Sequence, residues 1–215
     1  MTDAPPAGPP AAPAPEPGTA PSPAPRRPRK LFLVVGLVLA VGLGIGLFTS
    51  VGTSQSSSGG AYQGGPVPTF SASNVGTTGA SRVAVPADGG GNGTPAVLLF
   101  FGSWCPSCKA ELPPLAAAVR RQDAAHGALS KIHVIGVDTL DSPGSARGFI
   151  AKEGVTFPVA FDPDAAITQT AFHFEGDPYT VFVRGDGTIA KVVPGAQLTP
   201  ASFTADERAL IPSGT

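Results

Sequence analysis

The chain has two cysteines, Cys105 and Cys108, separated only by Pro106 and Ser107. Two thiols at that spacing have three common uses: a redox-active disulfide, half of a metal site, or a small structural disulfide. A zinc site needs two further Cys or His ligands, and the histidines, His126, His133 and His173, are scattered singly. Covalent haem attachment needs a His directly after the second Cys, where this chain has Lys109. A structural disulfide across so short a loop constrains little of the unfolded chain. The balance favours redox chemistry, with no metal and no cofactor beyond the Cys105–Cys108 pair itself.

What that pair can do depends on the elements that hold it. Ala96-Val97-Leu98-Leu99-Phe100-Phe101 is a continuous apolar run introduced by Gly93-Thr94-Pro95, and it reads as a buried central strand. From Ser107 to about Gln122 the pattern is helical, with Leu112, Leu115, Ala116 and Val119 on one face. His126-Gly127 supplies a stop. A cysteine at such a strand-to-helix junction meets free backbone N–H groups and the positive end of the helix dipole, which lower a thiol pKa. Cys105 is therefore the candidate attacking thiolate. Cys108, about one turn later, is the candidate resolving thiol that closes the disulfide and releases product. Pro106 suits the first helical turn, where its missing N–H costs nothing.

Beyond this unit, residues 131–138 read as a second buried strand and 142–153 as a helix with Phe149 and Ile150 turned inward. Residues 155–161 read as a third extended segment and 164–170 as a short helix. Residues 179–183 and 188–193 flank Arg184-Gly185-Asp186-Gly187 as a hairpin. Thr199 can cap a last helix over about 200–211. This order implies an α/β domain with a central mixed sheet and helices on both faces.

Composition divides the rest of the chain. Residues 1–30 are Pro/Ala-rich, lack aromatic residues, and cannot bury enough apolar surface to offset ordering entropy, so a disordered tail is expected. Residues 31–48 are uncharged and almost wholly apolar, and at ~1.5 Å per residue they reach roughly the thickness of a bilayer core. A single transmembrane helix is expected over 31–51. Arg26, Arg27, Arg29 and Lys30 directly before it place the N-terminus in the cytoplasm and the residues after the span outside the cytoplasmic membrane. A cleaved signal peptide is the competing reading, against which stand the long tail and the long apolar run. Residues 52–65 read as a Gly/Ser-rich linker, and 66–215 as one domain. That domain carries 10 Lys/Arg and 13 Asp/Glu, a net charge of −3, which gives no sign of a nucleic-acid surface.

The stretch Phe100-Phe101-Gly102-Ser103-Trp104-Cys105-Pro106-Ser107-Cys108-Lys109-Ala110-Glu111-Leu112-Pro113 resembles the active-site segment of thioredoxin-like proteins. It is most similar to the membrane-anchored TlpA/ResA group. Gly136-Val137-Asp138, Val155-Thr156-Phe157-Pro158 and Phe161-Asp162-Pro163-Asp164 resemble that group's central insertion. Gly176-Asp177-Pro178-Tyr179-Thr180 falls at its cis-proline loop. The resemblance implies a thioredoxin-like fold in which Pro178 is the cis-proline beside the cysteine pair. It implies that Trp104 covers the disulfide, a role compatible with a core aromatic. It also implies that Glu111 tunes cysteine pKa or shuttles protons, and that Pro113 kinks the helix. Two positions depart from relatives. Leu99 stands where cytosolic thioredoxins keep a buried Asp, and Asp177 stands where an uncharged residue is usual. A carboxylate close to Cys105 disfavours its thiolate, so replacing Asp177 by Asn is expected to lower the Cys105 pKa.

The function expected from this resemblance is extracytoplasmic thiol-disulfide exchange on exported proteins, for example in cytochrome c maturation, with electrons from a membrane thiol transporter. A disulfide-forming oxidase and a non-enzymatic binding or chaperone module are the alternatives. A thiol peroxidase fits less well, because the second cysteine is too near the first.

Overall fold

The computed structural model describes residues 61–212. The expected tail, the expected membrane span and residues 52–60 of the expected linker lie outside the described residues. Among the described residues, no helix is long and apolar enough to cross a membrane.

Among the described residues the first strands form an antiparallel hairpin, β1 (Phe70–Ser73) and β2 (Arg82–Val85). Strand β3 (Ala96–Phe101) leads into α1 (Pro106–Ala125), then β4 (His133–Thr139), α2 (Pro143–Lys152) and β5 (Val159–Asp162). A six-residue helical segment with π-type hydrogen bonding comes next at Ala166–Ala171. Strands β6 (Tyr179–Val183) and β7 (Ile189–Pro194) and helix α3 (Pro200–Arg208) complete the domain. The five-stranded sheet has the order β5-β4-β3-β6-β7. β3, β4 and β5 run parallel, and β6 and β7 are antiparallel additions.

β3 is buried at every residue, as the unbroken apolar run predicts for a central strand. Its side chains alternate between two cores. Val97, Leu99 and Phe101 join Leu112, Leu115, Phe149, Ile150 and Phe203 on the face that carries all three α-helices. Ala96, Leu98 and Phe100 face the other way, with Val83, Val85, Phe172 and Phe174. The two faces are thus covered unequally. Among the described residues, only the short segment after β5 represents helix on the second face, beside the β1–β2 hairpin. The cause is handedness: β3-α1-β4-α2-β5 steps across the sheet in one direction, and right-handed crossovers then put both helices on one side.

Several boundaries differ from the sequence-based expectation. The third strand is shorter and starts at Val159. His126, rather than Gly127, takes the left-handed conformation (φ 49°) that ends α1. Residues 61–65, assigned to the linker by composition, are tied to the domain. The Ala61 N–H donates to the Phe172 carbonyl at 3.1 Å, the Gly64 N–H to that of Ile189 at 2.8 Å, and the Gly65 carbonyl accepts from Ile189. These bonds use backbone groups alone, so side-chain composition held no sign of them.

Gly136 on β4 serves packing: a Cβ there would come within 2.9 Å of the Phe101 ring and 3.0 Å of Val159. Helix α3 begins with a reciprocal capping box between Thr199 and Ser202. It docks on α1 through Gln122, whose Nε2 donates to Glu207 Oε2 at 2.6 Å. Glu207 is fully buried and its Oε1 has no partner, and burial raises its pKa to about 7. A carboxyl whose folded pKa lies above its unfolded value stabilises fully below the unfolded pKa, and this contribution is lost as pH rises through the folded value. Global stability should therefore fall between about pH 4.5 and 7, by ~1–3 kcal/mol from this residue. Glu207→Gln should flatten that slope in urea unfolding of the full-length protein at pH 4.5 and pH 8. An unchanged slope would remove Glu207 as its source.

Candidate active site

The end of β3 and the start of α1 set the sulfur geometry. Gly102-Ser103-Trp104 turns the chain from the strand into the helix, and Cys105 is the N-cap residue of α1 (φ −84°, ψ 113°). Its Sγ accepts the Cys108 backbone N–H at 3.1 Å, as an N-cap acceptor must. Pro106 occupies the first helical turn. The two cysteines form a disulfide with a Cα–Cα distance of 5.3 Å, and both are 1% exposed. Pro106 and Ser107 between them are exposed.

The loop before β6 closes the other side. The Asp177-Pro178 peptide is cis, and the Asp177 carbonyl oxygen lies 3.5 Å from Cys105 Sγ. Phe174 and Tyr179, at the two ends of this loop, stack with ring centroids 3.9 Å apart and planes 3° apart, so its base is fixed by aromatic packing. A second cis peptide, Val85-Pro86, lies just after β2, where no sequence signal announced it.

Glu111 is buried on α1 rather than solvated. It lines a small cavity together with Leu99, Cys108 and Pro178. Its Oε1 accepts the Leu198 N–H at 2.8 Å, which ties α1 to the loop before α3. Burial pushes its pKa up, and the backbone N–H groups of Leu198 and Gln197 partly oppose this. Pro113 lies within α1 with Pro114 directly after it, and the helix continues through both. Leu99 is apolar core beside this cavity, so no carboxyl occupies that strand position.

Trp104, which the resemblance expects to cover the disulfide, is 47% exposed, so the compatible role of a core aromatic does not hold. Its indole folds back over Gly102, and Nε1–H donates to the Thr139 carbonyl at 2.8 Å. A Cβ on Gly102 would collide with that indole and sit 2.9 Å from the Thr139 oxygen. The ring is thus pinned to the end of β4.

The same β4 exit supplies a residue that no sequence motif marks. Asp141 accepts the Ser103 N–H and the Ser103 hydroxyl, both at 2.6 Å. Two more acids converge here. Asp138, at the end of β4, is fully buried, neither of its oxygens has a partner, and the same holds for the oxygens of Asp177. Burial first, then neighbouring carboxylates, raise Asp138 to about 8 and Asp177 to about 7. The available signal for Asp138 was a charged residue closing an otherwise buried strand. Nothing in the sequence announced Asp141, because its partner lies 38 residues away. Among the described residues, no three Asp, Glu, His or Cys side chains are arranged to hold a metal ion.

Hydrogen bonds to a charged acceptor contribute roughly 1.5–3 kcal/mol each. Asp141→Ala should therefore lower stability by about 2–3 kcal/mol, and by loosening the turn before Cys105 should slow disulfide exchange about tenfold. Asp141→Asn, which keeps an acceptor for one of the two bonds, should retain an intermediate rate. Denaturation midpoints and insulin-reduction rates measure both, and wild-type rates in Asp141→Ala would show that the clamp does not position the cysteines.

Several known proteins are similar to this chain. The soluble secreted antigen MPT53 of Mycobacterium tuberculosis is 33% identical over 104 residues, which is 48% of this chain and 56% of that protein. The thiol-disulfide oxidoreductase ResA of Bacillus subtilis is 30% identical over 98 residues, 46% of this chain and 51% of that one. The chain thus spans about half the length of the curated relatives it matches. Among solved structures, a secreted Mycobacterium tuberculosis disulfide oxidoreductase homologous to E. coli DsbE superposes with a TM-score of 0.55 at 26% identity, covering 66% of this chain and 96% of that one. The domain has the thioredoxin-like fold, and with residues 64–192 matched by the AhpC/TSA family model, the chain belongs to the AhpC/TSA family.

Proposed function

We propose that this chain is an extracytoplasmic thiol-disulfide oxidoreductase, held to the cytoplasmic membrane by residues 31–51 and acting on exported proteins. The observation that carries this reading is the Cys105–Cys108 disulfide at the N-terminus of α1, facing the cis Asp177-Pro178 loop. Relatives described as a thiol-disulfide oxidoreductase and as a thiol:disulfide interchange protein support it.

In the reducing direction, the Cys105 thiolate attacks one sulfur of a substrate disulfide. An S–S bond forms between Cys105 and that sulfur, and the other substrate sulfur leaves as a thiolate. The helix N-terminus and the Cys108 N–H stabilise the attacking sulfur. The Cys108 thiolate then attacks Cys105 Sγ, the Cys105–Cys108 disulfide closes, and the second substrate thiolate leaves. The substrate gains two electrons and, on protonation of its thiolates, two protons. Oxidation of a substrate dithiol is the same sequence reversed. The reduction potential of the pair against that of its partners decides the direction, and 30 mV corresponds to about 1.4 kcal/mol. Our reading is reduction, in a setting such as cytochrome c maturation, with a membrane thiol-electron transporter restoring the dithiol.

Cys108→Ser should trap substrate as a mixed disulfide at Cys105, and mass spectrometry of the trapped species names it. Cys105→Ser should trap nothing. A wild-type potential low enough to reduce glutathione disulfide supports the reducing direction. No trapped partner, with the potential intact, would remove the exchange reading.

The anchor has a separate test. The full-length chain should stay with membranes after alkaline carbonate extraction, and a chain lacking residues 1–51 should not. Release of the full-length chain would overturn anchoring without touching the chemistry.

A further inference from the structure

Four aspartates lie in three chain segments, at the exits of β4 and β5 and in the loop before β6, and among the described residues hydrogen-bond donors reach only two of them. Asp162, at the end of β5, accepts the backbone N–H groups of Ile167 and Thr168 at 2.9 and 2.8 Å and the Thr168 hydroxyl at 2.8 Å. Asp141 accepts two bonds from Ser103. Both carboxyls are thus supplied with donors. Asp138 and Asp177 are the reverse case: all four of their carboxyl oxygens are buried and none has a partner. A buried carboxylate without donors costs several kcal/mol, and a group so placed holds its proton instead.

We propose that Asp138 and Asp177 form a buried proton-holding pair that couples the redox state of Cys105–Cys108 to pH, Asp177 acting through its contact with Cys105 and Asp138 acting through Asp177. The inference rests on the oxidoreductase reading and adds its regulation. Both are positioning residues, since no exchanging atom passes through them.

The electrostatic surroundings are set by few groups. Asp138 is influenced by Asp141, Asp177 and Asp162, and Asp177 by Asp162 and Asp141. β3 presents Phe101 as the neighbour of Asp138 in the sheet, β5 presents Phe161, and α1 begins with Cys105 itself. Burial is the larger cause of the raised pKa values, and the neighbouring aspartates act in the same direction. The two carboxyls resist ionisation up to about pH 7 for Asp177 and about pH 8 for Asp138.

The link to the disulfide is geometric. The backbone carbonyl of Asp177 lies 3.5 Å from Cys105 Sγ, so the backbone of the residue whose side chain holds the proton is fixed against the sulfur that becomes a thiolate. While the disulfide is closed, Cys105 is uncharged and Asp177 ionises at its lower value. Reduction gives a thiolate at Cys105, and the new negative charge raises the pKa of Asp177. Between the two values, reduction takes up one proton by the carboxyl pair in addition to those bound by the sulfurs. The reduced form is then disfavoured with rising pH more steeply than in an otherwise identical protein whose pair cannot ionise. The reciprocal effect is that an ionised Asp177 raises the Cys105 pKa.

The test is the equilibrium of full-length protein with a glutathione/glutathione disulfide buffer from pH 5.5 to 9, for wild type, Asp177→Asn and Asp138→Asn. The buffer is common to all three, so the wild-type to variant ratio of reduced-to-oxidised equilibrium constants isolates the pair. That ratio should fall about three- to tenfold across the pH range for Asp177→Asn, and by less for Asp138→Asn. Glu207→Gln, which removes instead the buried carboxyl held by Gln122 near the far end of α1, should give no such trend. A second readout needs no variant: the 13C resonance of the Asp177 carboxyl should titrate at higher pH in reduced than in oxidised wild type. A ratio that stays flat with pH, a trend of the same size in Glu207→Gln, or equal Asp177 midpoints in the two redox states would overturn the proposal while leaving the oxidoreductase reading intact. Failure of wild type to exchange with glutathione at any pH would overturn both.

Discussion

Strand β3 is buried on both faces along its six residues, and that burial fixes where Cys105 emerges from the sheet. Alternate side chains enter two separate cores, one under the helices and one under the hairpin and the Phe172–Phe174 cluster. A slip of one residue would exchange the two sets and send every side chain into the wrong core. Burial of each Leu, Val or Phe contributes ~1.5–3 kcal/mol, so the register is strongly held. The turn after Phe101 is therefore delivered at one position, with Gly102 leaving room for the Trp104 indole and Ser103 facing Asp141.

From that anchor the site is assembled by elements that reach it from different parts of the sheet. β4, beside β3, carries Thr139 and Asp141 to the turn and Asp138 beneath it. β6, on the other side of β3, is preceded by the Asp177-Pro178 loop that meets Cys105. The sulfur thus lies between two loops whose positions are set by strand order. Parallel pairing on one side and antiparallel pairing on the other bring the C-terminal end of β4 and the N-terminal end of β6 to the same edge.

The distribution of hydrogen-bond donors then divides four similar side chains into two kinds. Asp141 and Asp162 face backbone N–H and hydroxyl groups and serve as structural acceptors. Asp138 and Asp177 face apolar surroundings and other carboxylates and keep their protons to higher pH. The contrast arises from local backbone geometry. The turn into the helical segment after β5 points free N–H groups at Asp162, while the extended backbone around Asp138 uses its own N–H groups in sheet pairing.

By itself the sequence determined the elements and the reacting atoms. The apolar run at 96–101 and the helical period from Leu112 to Val119 marked a strand and a helix, and two cysteines without competing ligands favoured a redox pair at their junction. These are local properties, because periodicity and capping act over a few residues. Tertiary structure decided what surrounds the sulfurs. It placed Glu111 in a shared cavity, turned Trp104 outward onto Thr139, drew residues 61–65 into the domain and gathered Asp138, Asp141, Asp162 and Asp177 at one edge. Each of these depends on contacts between residues far apart in the chain. Aspartate looks the same in sequence whether backbone donors will meet it or not, and only the packed sheet determines which of the four receive them.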